Sequence, residues 1–239
     1  MLTSETIKAF TKNLGADDCG IASAERFAES PKGFAPTDIY SKCKSVVVVA
    51  RHMPVGCLEG EEMITYNHAA YEMYKIMDKI AIETCYFIEQ HGYNATLVPA
   101  DVPYRCWDAE ENRGMGILSL KHAAVLAGMG IMGKSTSFIH PEYGNMCYLG
   151  ALLTDCELEP DPLVTDMSCP DGCSICQKVC PVGAIHDGTV EQKLCRSHSI
   201  VPTGRNWDVY ECSECRKKCP FRKQYQQHVA AKQLCCNEV

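Results

Sequence analysis

No window of the 239-residue chain approaches the run of about 18 apolar residues that a membrane-spanning helix needs. Positive charge is also short: 23 Lys and Arg stand against 30 Asp and Glu, a formal net charge of −7, which argues against general nucleic-acid binding through a basic surface. The segment Met1–Lys8 has neither the basic flank nor the apolar stretch of a secretory signal. Glycine and proline are too few for collagen. An apolar fraction of 46% with 22% charged residues excludes disorder, and no sustained heptad suggests a coiled coil.

What the chain has instead is cysteine, 17 in all. A chain of this length buries a core without disulfide staples. With no export signal, thiols in this number point to metal ligation. The expectation is a cytoplasmic protein suited to a reducing or anaerobic setting, with no membrane and no nucleic-acid partner.

The cysteines divide the chain. Residues 1–160 hold seven, singly placed, and residues 161–239 hold ten. The boundary falls at Glu159-Pro-Asp-Pro162, a stiff link where the apolar periodicity stops. The sequence therefore predicts a larger N-terminal domain (1–160) and a small metal-organised module (161–239). The first part reads as α/β. Ser4 is expected to cap a helix bearing Ile7, Phe10 and Leu14, stopped by Gly15. Ser45–Ala50, Ala95–Val98 and Cys147–Thr154 read as strands. A helix is expected over Asn67–Gln90 with Gly92 at its end, and another over Leu120–Ala127 capped by Ser119. Met73–Ile82 repeats methionine and isoleucine at helical spacing, which marks core.

In the second part, Cys169-x3-Cys173-x2-Cys176-x3-Cys180-Pro181 precedes Cys195 and Cys212-x2-Cys215-x3-Cys219-Pro220. Thiolates two and three residues apart wrap the faces of one cubane, and in two-cluster ferredoxins the Cys before Pro serves the other cluster. Applied here, one [4Fe–4S] cluster takes Cys169, Cys173, Cys176 and Cys219, and the other takes Cys180, Cys195, Cys212 and Cys215. Paired C-x2-C elements also suit tetrahedral zinc. Two Cys-Pro endings favour iron–sulfur, although the x3 gap after Cys169 departs from the usual x2. Cys235 and Cys236 read as dispensable.

Gly128-Met-Gly-Ile-Met-Gly-Lys-Ser135 satisfies both a dinucleotide and a P-loop pattern. Each needs a strand before and a helix after. Here a helix precedes and Pro141 soon interrupts, so the turn reads as a close backbone approach to a large flat ligand.

Ala127–Lys134, Pro141-Glu-Tyr-Gly144, Leu149–Asp155 and the Cys-Pro motifs occur in an order that resembles epoxyqueuosine reductase-like iron–sulfur proteins and, more distantly, the core of reductive dehalogenases. The resemblance spans roughly residues 10–225. It implies a nitroreductase-like, cobalamin-binding α/β (α+β) domain joined to a ferredoxin-like module with two [4Fe–4S] clusters. It also implies that Gly128, Gly130, Gly133, Lys134, Ser135 and Tyr143 line a base-off corrinoid fed with electrons by the clusters.

Two departures speak against a true epoxyqueuosine reductase. The family's proton-donating acid falls at Gly114 by spacing, and its helical-repeat tail has no counterpart before Val239. The reading is a short branch that carries out a low-potential reduction, served by an electron donor such as ferredoxin or flavodoxin. Alternatives are a corrinoid-handling protein without an organic substrate, or a carrier with a flavin or nothing in its N-terminal pocket. Catalytic residues stay unassigned. Tyr66, Tyr71 and Tyr104 read as ordinary half-buried tyrosines or as proton donors. His122 reads as structural, and Lys134 as a turn lysine or a corrin contact. Arg216, Lys217, Lys218, Arg222 and Lys223 read as a solvated surface or a dock for an acidic donor.

Overall fold

Helix α1 (Ser4–Asn13) is closed by Thr3, one residue before the expected cap: Thr3 and Thr6 exchange side chain-to-backbone hydrogen bonds in a capping box. The Ser4 hydroxyl instead donates to the Glu159 carbonyl at 2.8 Å. The computed structural model describes residues 2–222 and Tyr225, apart from Asp187 and Asn206. Lys223, Cys235 and Cys236 lie outside the described residues.

After α1 come β1 (Asp18–Ser23), α2 (Pro36–Ile39), β2 (Ser45–His52), α3 (Gly56–Glu59), α4 (Met63–Gln90) and β3 (Ala95–Val98). The hairpin β4 (Cys106–Asp108) and β5 (Arg113–Met115) leads to α5 (Leu120–Leu126), the pair β6 (Ile131–Met132) and β7 (Phe138–Ile139), and β8 (Cys147–Thr154). Strands β1, β2, β8 and β3 form one antiparallel sheet in that order, with Ser45 opposite Thr154 and His52 opposite Cys147.

Strand β2 reads as an unbroken β-branched run because both of its faces are covered. Val47, Val49 and Leu152 share a core with Ile7 of α1 and with Met73, Met77, Ile80 and Ile88 of α4. Val46, Val48, Leu149 and Leu153 share another with Ala123 and Ala124 of α5.

The remainder is built of short pieces: α6 (Ile175–Lys178), β9 (Ile185–His186), β10 (Thr189–Val190), α7 (Gln192–Ser199), β11 (Ile200–Gly204), β12 (Trp207–Tyr210) and α8 (Glu214–Lys217). Asp161 ties the link before them to the sheet. Its carboxylate accepts from the Ile21 N–H at 2.8 Å and pairs with Lys8, and its carbonyl accepts from Arg26 at 2.7 Å. Asn67 performs a similar tie from α4. Its amide donates to the Tyr210 carbonyl at 2.9 Å, and its oxygen accepts from the Tyr210 N–H at 2.8 Å. Among the described residues no helix is long and apolar enough to cross a membrane.

Candidate functional site

The two Cys-Pro motifs fold alike. Each wraps one helical turn, α6 or α8, and the preceding residues Ser174 and Ser213 adopt nearly the same backbone (φ −134°, ψ 21° and φ −140°, ψ 22°). The turns pack together and sort the thiols into two sets. Cys169, Cys173, Cys176 and Cys219 surround one small recess with Lys134, Ser135 and Phe221. Cys195 feels the charge of Cys180 and Cys212, and Cys215 that of Cys195, Cys212 and Cys176. Burial first, then repulsion between neighbouring thiols, pushes Cys215 up to about 11 and raises Cys176, Cys195 and Cys219. Two backbone donors already point at sulfur: the Ala184 N–H at Cys180 (3.2 Å) and the Lys134 N–H at Cys169 (3.5 Å). Among the described residues no three His, Cys, Asp or Glu side chains converge on a single-ion position.

Between the second set and the sheet lies a cavity of about 560 Å³, within the usual range for small-molecule and cofactor sites. Cys212 and Cys215 form part of one wall, and Tyr66, Tyr74, Tyr104, Tyr148 and Tyr210 form much of the rest. Arg216, the residue after Cys215, is a cavity residue rather than part of a solvated patch. Its Nη1 donates to the Tyr66 hydroxyl at 2.8 Å and its Nε to the Asn145 carbonyl at 2.9 Å, with the guanidinium over the Tyr148 ring at 5.4 Å. Arg222 is likewise buried and pairs with Glu59. The buried Ser213 hydroxyl and Asn145 Oδ1, both on lining residues, have no hydrogen-bond partner among the described residues.

Sequence patterning carried no signal for Asp101, which accepts from the Tyr104 hydroxyl at 3.0 Å and lines the same cavity. Burial, then the nearby Asp101 carboxylate, pushes Tyr104 up to about 12, so its phenol keeps its proton. Lys121 donates to the Thr136 carbonyl at 2.7 Å, and desolvation of its ammonium lowers its pKa although the residue as a whole is exposed. Tyr71 leaves the site and packs on Trp207, with ring centroids 5.4 Å apart. His122 bonds the Ser119 hydroxyl at 2.7 Å.

Gly128, Gly130, Gly133, Lys134, Ser135 and Tyr143 are not among the cavity's lining residues. The glycine turn serves contact of chain with chain. A Cβ at Gly128 (φ +72°) would lie 2.1 Å from the Pro162 carbonyl oxygen, and one at Gly130 2.2 Å from that of Ile139. Helix α5 precedes the turn, β6 lies within it and β7 follows, so the strand–turn–helix setting of a nucleotide loop is missing. Lys134 and Ser135 face the first cysteine set, where Lys134 Nζ donates to the Cys173 carbonyl at 3.0 Å. Tyr143 stacks on His52, centroids 4.9 Å apart.

No protein-family model matches the chain. It is 33% identical over 124 residues to the epoxyqueuosine reductase of Listeria monocytogenes, covering 47% of this chain and 32% of that one. Against the epoxyqueuosine reductase of Bacillus cereus it is 26% identical over 259 residues, covering 92% and 64%. The matches thus span about a third to two thirds of these relatives' length. The solved epoxyqueuosine reductase of Streptococcus thermophilus superposes with a TM-score of 0.67 at 20% identity, over 93% of this chain and 67% of that one. A catabolic reductive dehalogenase gives 0.68 at 19%, over 93% and 33%. Another neighbour (0.63, 21%) is an epoxyqueuosine reductase solved with a tRNA stem loop. That neighbour removes the support for excluding nucleic acid, because net charge averages over a whole surface while binding is local. The relatives also give no support for setting the chain apart from epoxyqueuosine reductases. In sequence the chain is similar to epoxyqueuosine reductases along most of its length, and in fold it stands with them and with reductive dehalogenases.

Proposed function

We propose that the chain is an iron–sulfur, corrinoid-dependent reductase of the epoxyqueuosine reductase kind. Residues 1–160 act as a nitroreductase-like corrinoid-binding domain and residues 161–239 as a ferredoxin-like module. The observation that carries this reading is that Cys212 and Cys215 of one cysteine set form part of the wall of the tyrosine-lined cavity, while the other set lines a separate recess. Eight thiols in two sets of four fit two [4Fe–4S] clusters: cationic iron would offset the cost of charging the buried sulfurs of Cys176, Cys195, Cys215 and Cys219. The tyrosine lining and the buried polar atoms Asn145 Oδ1 and Ser213 Oγ, which have no partner among the described residues, suit the face and fringe of an amide-bearing ring.

When bound, the corrinoid supplies a strongly reducing, nucleophilic cobalt. The chain's part is to position and to protonate. Tyr66 is the proton donor, and Arg216, fixed to its hydroxyl, steadies the negative charge that builds there. Asp101 supplies the carboxylate that Gly114 lacks and holds Tyr104 in place. The relatives favour epoxyqueuosine in tRNA as the substrate.

The test is anaerobic purification followed by measurement of iron, acid-labile sulfide, zinc and cobalt per chain, before and after incubation with cobalamin and a reductant. About eight iron and eight sulfide, with cobalt near one, are expected. Zinc in place of iron sinks the reading. Full iron with no bound cobalt turns it into an electron carrier without an organic substrate.

A further inference from the structure

The mouth of the cavity carries a cluster that the proposed chemistry leaves unused. Trp107, on the β4–β5 hairpin, is 48% exposed, and Tyr210, at the end of β12, is 44% exposed. The Arg196 guanidinium of α7 lies over the Trp107 ring, 5.3 Å from its centroid. The Tyr104 ring stands 5.8 Å from that of Trp107, and Tyr104 and Tyr210 both line the cavity, so the cluster is continuous with its wall. Arg196 also acts electrostatically on both tyrosines.

Gly114 explains how the rings come together. It sits opposite Trp107 in the hairpin register, and a Cβ there would lie 2.9 Å from the Tyr104 ring. Any side chain at 114 would drive Tyr104 away, so the glycine that costs the chain a carboxylate seats the aromatic cluster.

Among the described residues Arg196 has no carboxylate partner, and the adjoining cavity is lined by two cations, Lys121 and Arg216, against one carboxylate, Asp101, which already accepts from Tyr104. A large aromatic ring left half in water beside an unpaired guanidinium suits a guest that is flat and anionic.

We infer that Trp107 and Arg196, backed by Tyr104 and Tyr210, form a recognition subsite for a planar aromatic ring bearing a negative charge, the substrate class of the proposed reductase. The inference rests on that reading for its catalytic meaning, though the subsite itself is testable by binding alone. Two sources share this chemistry, an aromatic phosphate ester such as a nucleotide and an aromatic carboxylate.

The experiment is anaerobic calorimetry on the metal-loaded full chain with adenosine monophosphate, 4-hydroxybenzoate, inorganic phosphate and phenol. At least one aromatic anion binds at least tenfold more tightly than phosphate or phenol, and which one wins names the source. Trp107→Ala and Arg196→Gln each weaken that binding about tenfold at unchanged iron and cobalt content. Arg196→Gln also erases the preference for the anion over phenol, which a merely structural role would leave in place. Aromatic anions that bind no better than phosphate or phenol, or variants that bind as the parent does, overturn the subsite. Missing iron or cobalt overturns the function above, whereas full metal with no discrimination overturns the subsite alone.

Discussion

Arg216 has one guanidinium and two hydrogen-bonded partners on different elements, the Tyr66 hydroxyl and the Asn145 carbonyl. Arg216→Met strands both and lowers stability by about 2 kcal/mol in urea unfolding. Arg216→Lys recovers less than half of that, because a single ammonium does not span both acceptors. Full recovery by lysine would show that charge alone matters. Thiols outside the Cys-Pro motifs divide by burial: it pushes Cys19 and Cys85 up to about 12 and Cys43 up to about 11, while Cys106 is exposed. Brief iodoacetamide treatment of the native protein at pH 8 alkylates Cys106 first and spares those three, as read by peptide mass spectrometry. Asp18 offers a pH handle. Burial raises its pKa, but hydrogen bonds from His140 and the Cys19 N–H overrule that and leave it lowered. Its stabilising contribution is therefore complete above the unfolded value of about 3.9 and is lost as pH falls through the folded one. Asp18→Asn is less stable than the parent at pH 6, and the gap closes in acid; a gap that widened there would reverse the assignment.

Legibility differed by element. Strands β2, β3 and β8 were plain because a sheet covered on both faces needs runs such as Val46–Val49. Strand β1 was hidden, since Asp18-Cys-Gly-Ile-Ala-Ser23 carries one β-branched residue and gains its order from pairing with β2. The expected start of α4 at Asn67 falls four residues late: the helix begins at Met63, and the Asn67 side chain bonds the Met63 carbonyl and Tyr210. The cysteine motifs were legible as spacing, because a local wrap around α6 or α8 is written in adjacent residues. The cavity was not, since Tyr66, Asp101, Tyr148 and Arg216 meet only through long-range packing. Asn67→Ala breaks both bonds to Tyr210 and costs about 2 kcal/mol, with faster amide exchange at Tyr210 than in the sheet. Unchanged exchange would mean that β12 is held by other contacts.

At the scale of the molecule, the two cysteine sets are neighbours, with Cys176 of one acting electrostatically on Cys215 of the other. If both sets hold the clusters proposed above, their closeness couples them magnetically. The fully reduced protein would then give a spin-coupled electron paramagnetic resonance spectrum, and Cys195→Ala would leave a simpler signal and about half the iron. A spectrum that is the sum of two isolated centres would deny the proximity. The link at Asp161 bears on the same point. Its amide, carbonyl and carboxylate are all bonded to α1, β1 or the Arg26 side chain, so this stretch of chain is riveted to the sheet. Electron tunnelling falls off exponentially with the gap it must cross. In the proposed reductase, anchoring at Asp161, between Asn67 and Tyr210 and between Arg216 and Tyr66 would keep that gap constant through thermal motion, so the rate of internal electron delivery would be set when the chain folds and not by a later docking of one half upon the other.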